Sequence, residues 1–192
     1  MDTPPPPIAP PVPKWPKTLG IIAVVFGGAG LLQSLTSPLG IFLVRNQMNE
    51  LTKQGADQAA IDEYIATYTG FVHTSTATLG SVAVLLLVGG ILLLRKRRIS
   101  SPLLQGWSIL KILVGGFFLF KTAALTRLQM SIMLEPTLGA AGPGTDMQMI
   151  GQITSWAMWF GLGLGFIWLV ALPVFFIAWF NRLRIKEEMA AW

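Results

Sequence analysis

The sequence predicts an all-α membrane protein, an antiparallel bundle of four transmembrane helices with short helices on its outer side. Four long apolar segments indicate this class, and they cover residues 18–44, 70–94, 103–125 and 153–180. Each is long enough for the ~30 Å hydrocarbon core, where the backbone must satisfy its own polar groups by forming a helix. Composition agrees, because 53% of the residues are hydrophobic and only 12% are charged, against about 25% charged in soluble domains.

Residues 1–17 form a proline-rich tail on the cytoplasmic side. Prolines occupy positions 4–7 and recur at Pro10, Pro11, Pro13 and Pro16. Because proline fixes φ and lacks an amide donor, the tail is expected to be a disordered, extended polyproline II segment without a core. Its overlapping P-x-x-P spacings are typical of ligands for aromatic grooves, and a solvated spacer is the simpler interpretation.

The first apolar segment is predicted to contain a span over about 18–36, followed by a second helix on the outer side. Ser37 and Pro38 are typical of a helix start, with serine as the N-cap and proline in the first turn. The second helix is expected to reach about Gln54, where Gly55 supplies a stop.

A further short helix is expected before the second span. Asp57 is its candidate N-cap, and apolar residues follow at helical spacing at Ile61, Tyr64, Ile65 and Tyr68. This apolar face lies opposite Asp62 and Glu63, so the segment is predicted to be an interfacial lid.

The remaining spans are predicted at about 70–94, 103–127 and 153–180, which completes a transmembrane domain over 18–182. The loop 129–152 contains several prolines and glycines, and its second half is expected to be a mobile turn region. Residues 183–192 are expected to form a short cytoplasmic tail.

The distribution of Lys and Arg predicts the orientation in a cell (inner) membrane. Nine of the 14 basic residues would share one side, namely Lys14, Lys17, Arg95, Lys96, Arg97, Arg98, Arg182, Arg184 and Lys186. The loops of the other side contain Arg45, Lys53 and Arg127 beside six acidic residues. Short basic loops stay cytoplasmic, so both termini should face the cytoplasm. The net charge of +5 therefore reflects topology and does not indicate nucleic-acid binding.

Two lysines and a threonine are the intramembrane polar candidates. With Trp107 as the inner boundary, Lys111 would lie about 6 Å deep and snorkel back to the surface. Lys121 would lie about 20 Å from that boundary, where an unpaired charge costs about 3 kcal/mol. It should face the bundle, in a structural ion pair or as an anion or substrate contact, unless the boundary of the span is misplaced. The available acceptors are Thr74, Thr76, Thr78, Glu50, Asp62 and Glu135.

Small residues recur on one face of the first span and on one face of the last. Inside lipid, helices associate through close approach at such residues. The candidate packing residues are Gly20, Ala23, Gly27, Ala157, Gly161 and Gly165. They would join helices within one chain or between two chains, so the expected partners are the lipid bilayer and a homo-oligomer or membrane-complex subunit.

Four methionines and the single histidine lie near the predicted outer face: Met130, Met133, Met147, Met149 and His73. Thioethers select Cu(I), and imidazole also suits copper. Methionine is equally a flexible filler of apolar gaps. We therefore expect no cofactor, with a Cu(I) site as the alternative.

The chain lacks the residue sets that catalysis needs, so an enzyme is not expected. It has no cysteine and one histidine, and it contains no nucleophile elbow, zinc-protease or phosphate-binding motif. No Asp or Glu lies inside a predicted span, which argues against an ion-coupled carrier. The preferred interpretation is a structural or accessory membrane component. The second is a small transporter or channel subunit with Lys121 on an anion path, and the third is an outer-face copper-binding protein.

Two segments resemble uncharacterised bacterial four-pass inner-membrane proteins with a proline-rich N-terminal tail. They are the run 15–22 that follows the prolines and the run 90–98 that leads into Trp107 and Leu110. The resemblance implies a four-pass architecture and supplies no functional residue.

Overall fold

The computed structural model describes the backbone of residues 14–140 and 147–192, with side chains except at 134–140, 147–155, 157, 158 and 168. This part of the chain forms six helices: α1 (Trp15–Thr36), α2 (Leu39–Lys53), α3 (Gln58–Leu94), α4 (Ser100–Ala140), α5 (Met147–Phe180) and α6 (Leu183–Ala190). Segments of α1, α3, α4 and α5 are long and apolar enough to cross a membrane. The prediction of an all-helical chain with four membrane-length helices is therefore confirmed. The predicted polyproline segment up to residue 13 lies outside the described residues.

Helix α1 begins earlier than predicted and α2 begins slightly later. Trp15 and Pro16 are helical, because a proline in the first turn lacks only an amide that the helix leaves unpaired anyway. Ser37 does not cap α2. Its hydroxyl donates to the carbonyl oxygen of Gln33 at 2.9 Å, and Pro38 is the N-cap residue instead. Gly55 follows the end of α2 with φ +93°, a conformation that favours glycine.

Helix α3 is continuous over Gln58–Leu94, so the predicted separate interfacial lid is wrong. Asp57 does cap a helix, since its carboxylate accepts from the amide of Ala59 at 3.0 Å. That helix continues into the second span because no proline interrupts it. Ile61 and Tyr64 are buried in a cluster with Met48 and Ile132, so their apolar face packs against protein. We call this cluster the loop-end core.

The segments around the last span also differ from prediction. Helix α4 continues to Ala140, so the described backbone has no turn over 129–140. The centre of that loop, 141–146, lies outside the described residues. The C-terminal segment predicted as a plain tail contains α6, whose Ile185 and Met189 are buried. Their i, i+4 spacing places both side chains on one helix face.

The backbones of α1 and α3 approach closely at glycines. A Cβ atom placed on Gly27 would lie 2.8 Å from the backbone nitrogen of Leu87, and one placed on Gly90 would lie 2.9 Å from that of Val24. Real Cβ atoms do not come this close to backbone atoms, so both positions need glycine. Ala23 is also buried in this contact, where its Cβ lies opposite Gly90. Close approach of this kind holds membrane helices together.

The long helices pack in sequence, α1 against α3, α3 against α4, and α4 against α5, while α2 packs against α3. At one end of the molecule a second buried cluster joins Leu19 of α1, Leu93 of α3, Leu104 of α4 and Phe180 of α5. We call this cluster the termini-end core, because Trp15 and Trp192 pack against it.

Both ends of the described chain meet beside the termini-end core in a contact that we call the clasp. The indole Nε1–H of Trp15 donates to Glu188 Oε2 at 2.6 Å, and its ring stacks on Trp192 at a centroid distance of 5.6 Å. Arg184 donates to the other carboxylate oxygen of Glu188 at 3.1 Å. Arg98 donates to the carbonyl oxygen of Ala190 at 2.6 Å. These contacts hold α6 against the start of α1.

We expect Gly27→Ala to lower the free energy of unfolding by about 1–3 kcal/mol, as overpacking commonly does. The neighbouring Gly28 is the matched control, because a Cβ placed there meets nothing within 4 Å. Gly28→Ala should be neutral or should stabilise the helix by up to about 1 kcal/mol through helix propensity. Unfolding of the purified protein in mixed detergent micelles measures both changes. Equal stability of the two variants would contradict the close approach of α1 and α3.

We expect the clasp to weaken in acid. The hydrogen bond from Trp15, and next the contacts with Arg184, hold the pKa of Glu188 below its usual value. The carboxylate therefore stabilises the docked state fully above the unfolded-state pKa of about 4.3, and this contribution is lost as pH falls through the lower folded-state pKa. The indole proton resonance of Trp15 in detergent micelles should shift over that acidic range.

The control for the clasp experiment is the neighbouring acid. Glu188→Gln should remove the acid-dependent shift of the Trp15 resonance, whereas Glu187→Gln should preserve it, because Glu187 is exposed. A wild-type shift that survives in Glu188→Gln would rule out this carboxylate as its cause.

Candidate functional site: a cavity between the four long helices

A cavity of about 710 Å³ lies between the four long helices. Its walls come from residues 26–37 at the end of α1 and just beyond it, 75–86 of α3, Trp107 and Lys111 of α4, and 165–175 of α5. The volume falls within the range of about 300–1,000 Å³ that is typical of small-molecule sites. All four membrane-length helices therefore contribute to the wall of one cavity.

The order of helix packing explains why this space exists. Helix α1 packs along α3, and α5 packs along α4, but α1 and α5 share no extended contact among the described residues. Phe26 of α1 and Phe175 of α5 line the cavity along the seam between these two helices, and both rings are half-exposed. At the termini end, the ring of Trp107 packs edge-on against Phe176 at 5.9 Å and closes the cavity.

Among the described residues that line the cavity, Lys111 is the only charged one. It lies about 16 Å along α4 from Ser100 at 1.5 Å per residue, close to half the ~30 Å hydrocarbon thickness. The predicted depth of about 6 Å was counted from Trp107 and stays a prediction. That tryptophan is 3% exposed and belongs to the termini-end core. No described residue forms a hydrogen bond or ion pair with the Lys111 ammonium.

Two further cavity residues have polar atoms without partners. Trp107 Nε1 and Thr76 Oγ1 are buried and make no hydrogen bond within the described chain. Ser75 differs, since its hydroxyl donates to the carbonyl oxygen of Val72 at 3.1 Å. Buried polar atoms in proteins are nearly always paired, so unpaired ones beside a cavity need an explanation.

Helix α5 contributes a proline to the cavity wall. Pro173 is fully buried and lies inside the helix. It has no amide hydrogen, so the carbonyl oxygen of Leu169 lacks its usual helical donor. Leu169 also lines the cavity, and its side chain packs against Gly115 of α4, where an added Cβ would overlap it. The wall thus combines apolar side chains with a helix in which one backbone hydrogen bond is missing.

The prediction that Lys121 faces the bundle is wrong, while an ion pair with Glu135 stays a prediction. Lys121 is exposed, does not line the cavity and has its ammonium 5.8 Å from the ring centroid of Phe117. The proposed acceptors with described side chains do not reach it. Thr74 and Thr78 donate to their own helix, Glu50 pairs with Lys53 at 2.7 Å, and Asp62 accepts from Gln58. The side chain of Glu135 lies outside the described residues.

The position of Lys121 along α4 explains how it is tolerated. It lies about 32 Å from Ser100, a distance close to the full ~30 Å hydrocarbon thickness. Its flexible stem can then carry the ammonium to the membrane surface. Thr74 is exposed as well, and its hydroxyl donates to the carbonyl oxygen of Gly70 at 2.9 Å. Of the three polar candidates, only Lys111 lines the cavity.

The described residues do not show the candidate copper ligands arranged around a common point. Met133 packs against the loop-end core, Met130 is half-buried, and His73 is exposed. The side chains of Met147 and Met149 lie outside the described residues. No group of three or more His, Cys, Asp or Glu that could hold a metal occurs in the described part of the chain. Cu(I) binding stays a prediction.

The small residues divide into two groups. Gly20, Ala23 and Gly27 are buried where α1 meets α3. On α5, Gly165 lines the cavity and would place an added Cβ 3.7 Å from Leu119. Gly161 is exposed, and an added Cβ there meets nothing within 4 Å. A packing role for Gly161 within the described chain is therefore wrong, and Ala157 lies outside the described side chains.

Sequence reasoning missed the cavity itself. Its polar residues on α1, Gln33 and Ser34, and its unpaired Thr76 on α3 were visible as polar positions inside apolar segments. Such positions signal a protein-facing or cavity-facing site when their hydroxyl or amide is not needed for capping. Which of them converge depends on helix rotation, and the hydropathy pattern does not specify that rotation.

Comparison with known proteins leaves the site to be interpreted on its geometry. No protein-family model, curated protein or solved structure matches this chain.

Proposed function

We propose that this chain is an accessory protein of the cell (inner) membrane that binds a membrane-dissolved molecule in the cavity between its four long helices. The observation that carries the proposal is a cavity of about 710 Å³ whose wall includes Lys111, Trp107 and Thr76 with no partner for their polar atoms among the described residues. A bound molecule would supply those partners. The proposal refines the accessory role expected from sequence.

The proposed arrangement is an antiparallel four-helix bundle with both termini in the cytoplasm. In the α1–α3 contact, residue numbers rise along one helix as they fall along the other, since Gly20 meets Leu94, Gly27 meets Leu87 and Gly30 meets Ala83. Exposed Arg95, Lys96, Arg97 and Arg98 lie between α3 and α4, at the end where Arg98 contacts α6. The positive-inside rule places that end in the cytoplasm.

Binding is favoured over catalysis by the side chains that line the cavity. Those lining residues include no His, Asp, Glu or Tyr, so the described wall has no carboxylate nucleophile, and Lys111 is its one candidate general base. Ser34 and Ser75 also line the cavity, but no hydrogen bond joins either hydroxyl to the Lys111 ammonium. Holding a ligand needs only the donors and apolar surface that are present.

Transport is the second candidate, because the cavity extends across much of the bilayer. Its wall on α1 and just beyond it runs from Phe26 to Ser37, about 16 Å at 1.5 Å per residue. The contact of Trp107 with Phe176 closes the termini end, so transport would require that contact to open. The lateral seam needs no such change, which is why we favour binding from the bilayer.

Filling the cavity should reduce the amount of bound molecule. We expect Thr76→Trp to lower co-purified amphiphile per protein by about tenfold or more, because overpacking a site costs about 1–3 kcal/mol. Native mass spectrometry of the detergent-solubilised protein measures this ratio. Thr74→Trp is the matched control, since Thr74 is exposed and does not line the cavity. Equal occupancy in both variants, or an empty wild-type protein, would argue against the proposed function.

The proposed orientation can be tested with single cysteines, because the chain contains none of its own. Arg97 and Gln58 are both exposed and lie at opposite ends of α3. In intact cells an impermeant maleimide should label Gln58→Cys, and it should label Arg97→Cys only after permeabilisation. The reverse pattern would place the termini outside.

A further inference from the structure

We propose that the cavity binds an amphiphile with one oxyanion head, a carboxylate or a phosphate monoester, and that Lys111 binds this head. The inference rests on the proposed function and adds the charge and shape of the ligand. It commits to a single-headed amphiphile from the bilayer, with its chain in the apolar part of the cavity.

The charge of the cavity wall is unbalanced. Within the part of the wall that the structure describes, Lys111 carries the only formal charge and no carboxylate accompanies it. A lone ammonium near the middle of a bilayer is costly and normally pairs with another group. No described residue supplies that group. A ligand with a negative head would complete the pair.

A second observation points to the same end of the ligand. Trp107 lies four positions before Lys111 on α4, so both side chains lie on one face of the helix. Its indole N–H is buried and unpaired, in a residue that is only 3% exposed. An indole N–H and an ammonium can only donate hydrogen bonds. A ligand that pairs with Lys111 must therefore be an acceptor. An oxyanion held there would accept from the indole as well once the Trp107 ring turned toward it, because Nε1 itself has almost no accessible surface.

A third donor group comes from the helix opposite. Thr76 of α3 lines the same cavity, and its hydroxyl oxygen is buried without a partner. Hydrogen bonds to an ionised acceptor are roughly twice as strong as neutral ones. A head that accepts from Lys111, and reaches Trp107 or Thr76, would therefore be held with a defined orientation.

The rest of the wall favours a ligand whose head group carries a hydrocarbon chain. Leu79, Leu86, Leu172 and Phe175 line the cavity and offer apolar surface. A small inorganic ion would leave this surface without a partner and would also lose its hydration on entry. An acyl or isoprenoid chain fills the apolar part, contributing about 0.8 kcal/mol for each CH₂ transferred from water. The seam between α1 and α5 gives such a molecule a direct route from the bilayer.

The test compares ligands that differ only in the head. Full-length protein in an uncharged detergent is titrated with a fluorescent polyene fatty acid, with the alcohol of the same chain length, and with the matching lysophosphatidic acid. We expect the carboxylate, the phosphate ester or both to bind at least about tenfold more tightly than the alcohol. Acetate and inorganic phosphate should not displace the bound amphiphile at millimolar concentration.

The variants compare the two lysines of α4. Lys111→Met should weaken binding of the anionic probe by about 30-fold or more, as expected when one partner of a buried charged pair is truncated. It should change binding of the alcohol less than threefold, which also shows that the variant is folded. Lys111→Arg should retain binding within about tenfold, and Lys121→Met should bind like the wild type, because Lys121 does not line the cavity.

The outcomes separate the two proposals. Tight binding of the anionic probe by Lys111→Met, or equal affinity of the wild type for acid and alcohol, would overturn the anionic assignment and leave the proposed binding function intact. Displacement by acetate or inorganic phosphate would overturn it in favour of a small-anion site. If the wild type binds none of the three amphiphiles, and Thr76→Trp changes no occupancy, both proposals fail.

Discussion

The close approach of α1 and α3 is the contact on which the rest of the structure depends. Apolar helices gain no hydrophobic free energy by exchanging lipid contacts for contacts with another helix. Their association therefore relies on close backbone approach at small residues. Gly27 and Gly90 leave no room for a side chain between the two helices. This commits α1 to one face of α3, while α4 packs on a different part of α3 and α5 packs on α4. The seam between α1 and α5, and the cavity behind it, result from that order.

The sequence was informative wherever hydropathy or spacing decides the structure. Four apolar segments were enough to predict four membrane-length helices, and the small residues of α1 do lie against α3. Helix continuity was harder to predict. The apolar spacing after Asp57 predicted a separate amphipathic helix at the membrane surface. The residues that bury Ile61 and Tyr64, however, come from distant parts of the chain. A single sequence gives no access to such partners.

The two lysines of α4 show the limit of sequence reasoning most clearly. Depth was measured from Trp107 on the rule that tryptophans mark the membrane surface, but this tryptophan is a core residue packed on Phe176. Counted from Ser100, where α4 begins, Lys111 would be the deeper lysine, whereas counting from Trp107 makes Lys121 the deeper one. The structure itself shows that Lys111 lines the cavity and that Lys121 is exposed. This difference depends on rotation about the helix axis, which packing sets and residue order does not specify.

The clasp of Trp15 with Glu188 and Trp192 joins the start of α1 to α6 and the end of the chain, beside the termini end of the α1–α5 seam. Elsewhere along that seam the two helices share no extended contact among the described residues. If the cavity binds a molecule as proposed, the angle between α1 and α5 would set how quickly that molecule enters and leaves. Loosening the clasp would raise both rates together, so residence time would shorten while affinity stayed nearly constant. Contacts at the two ends of the chain would then control the lifetime of a complex formed beside Lys111.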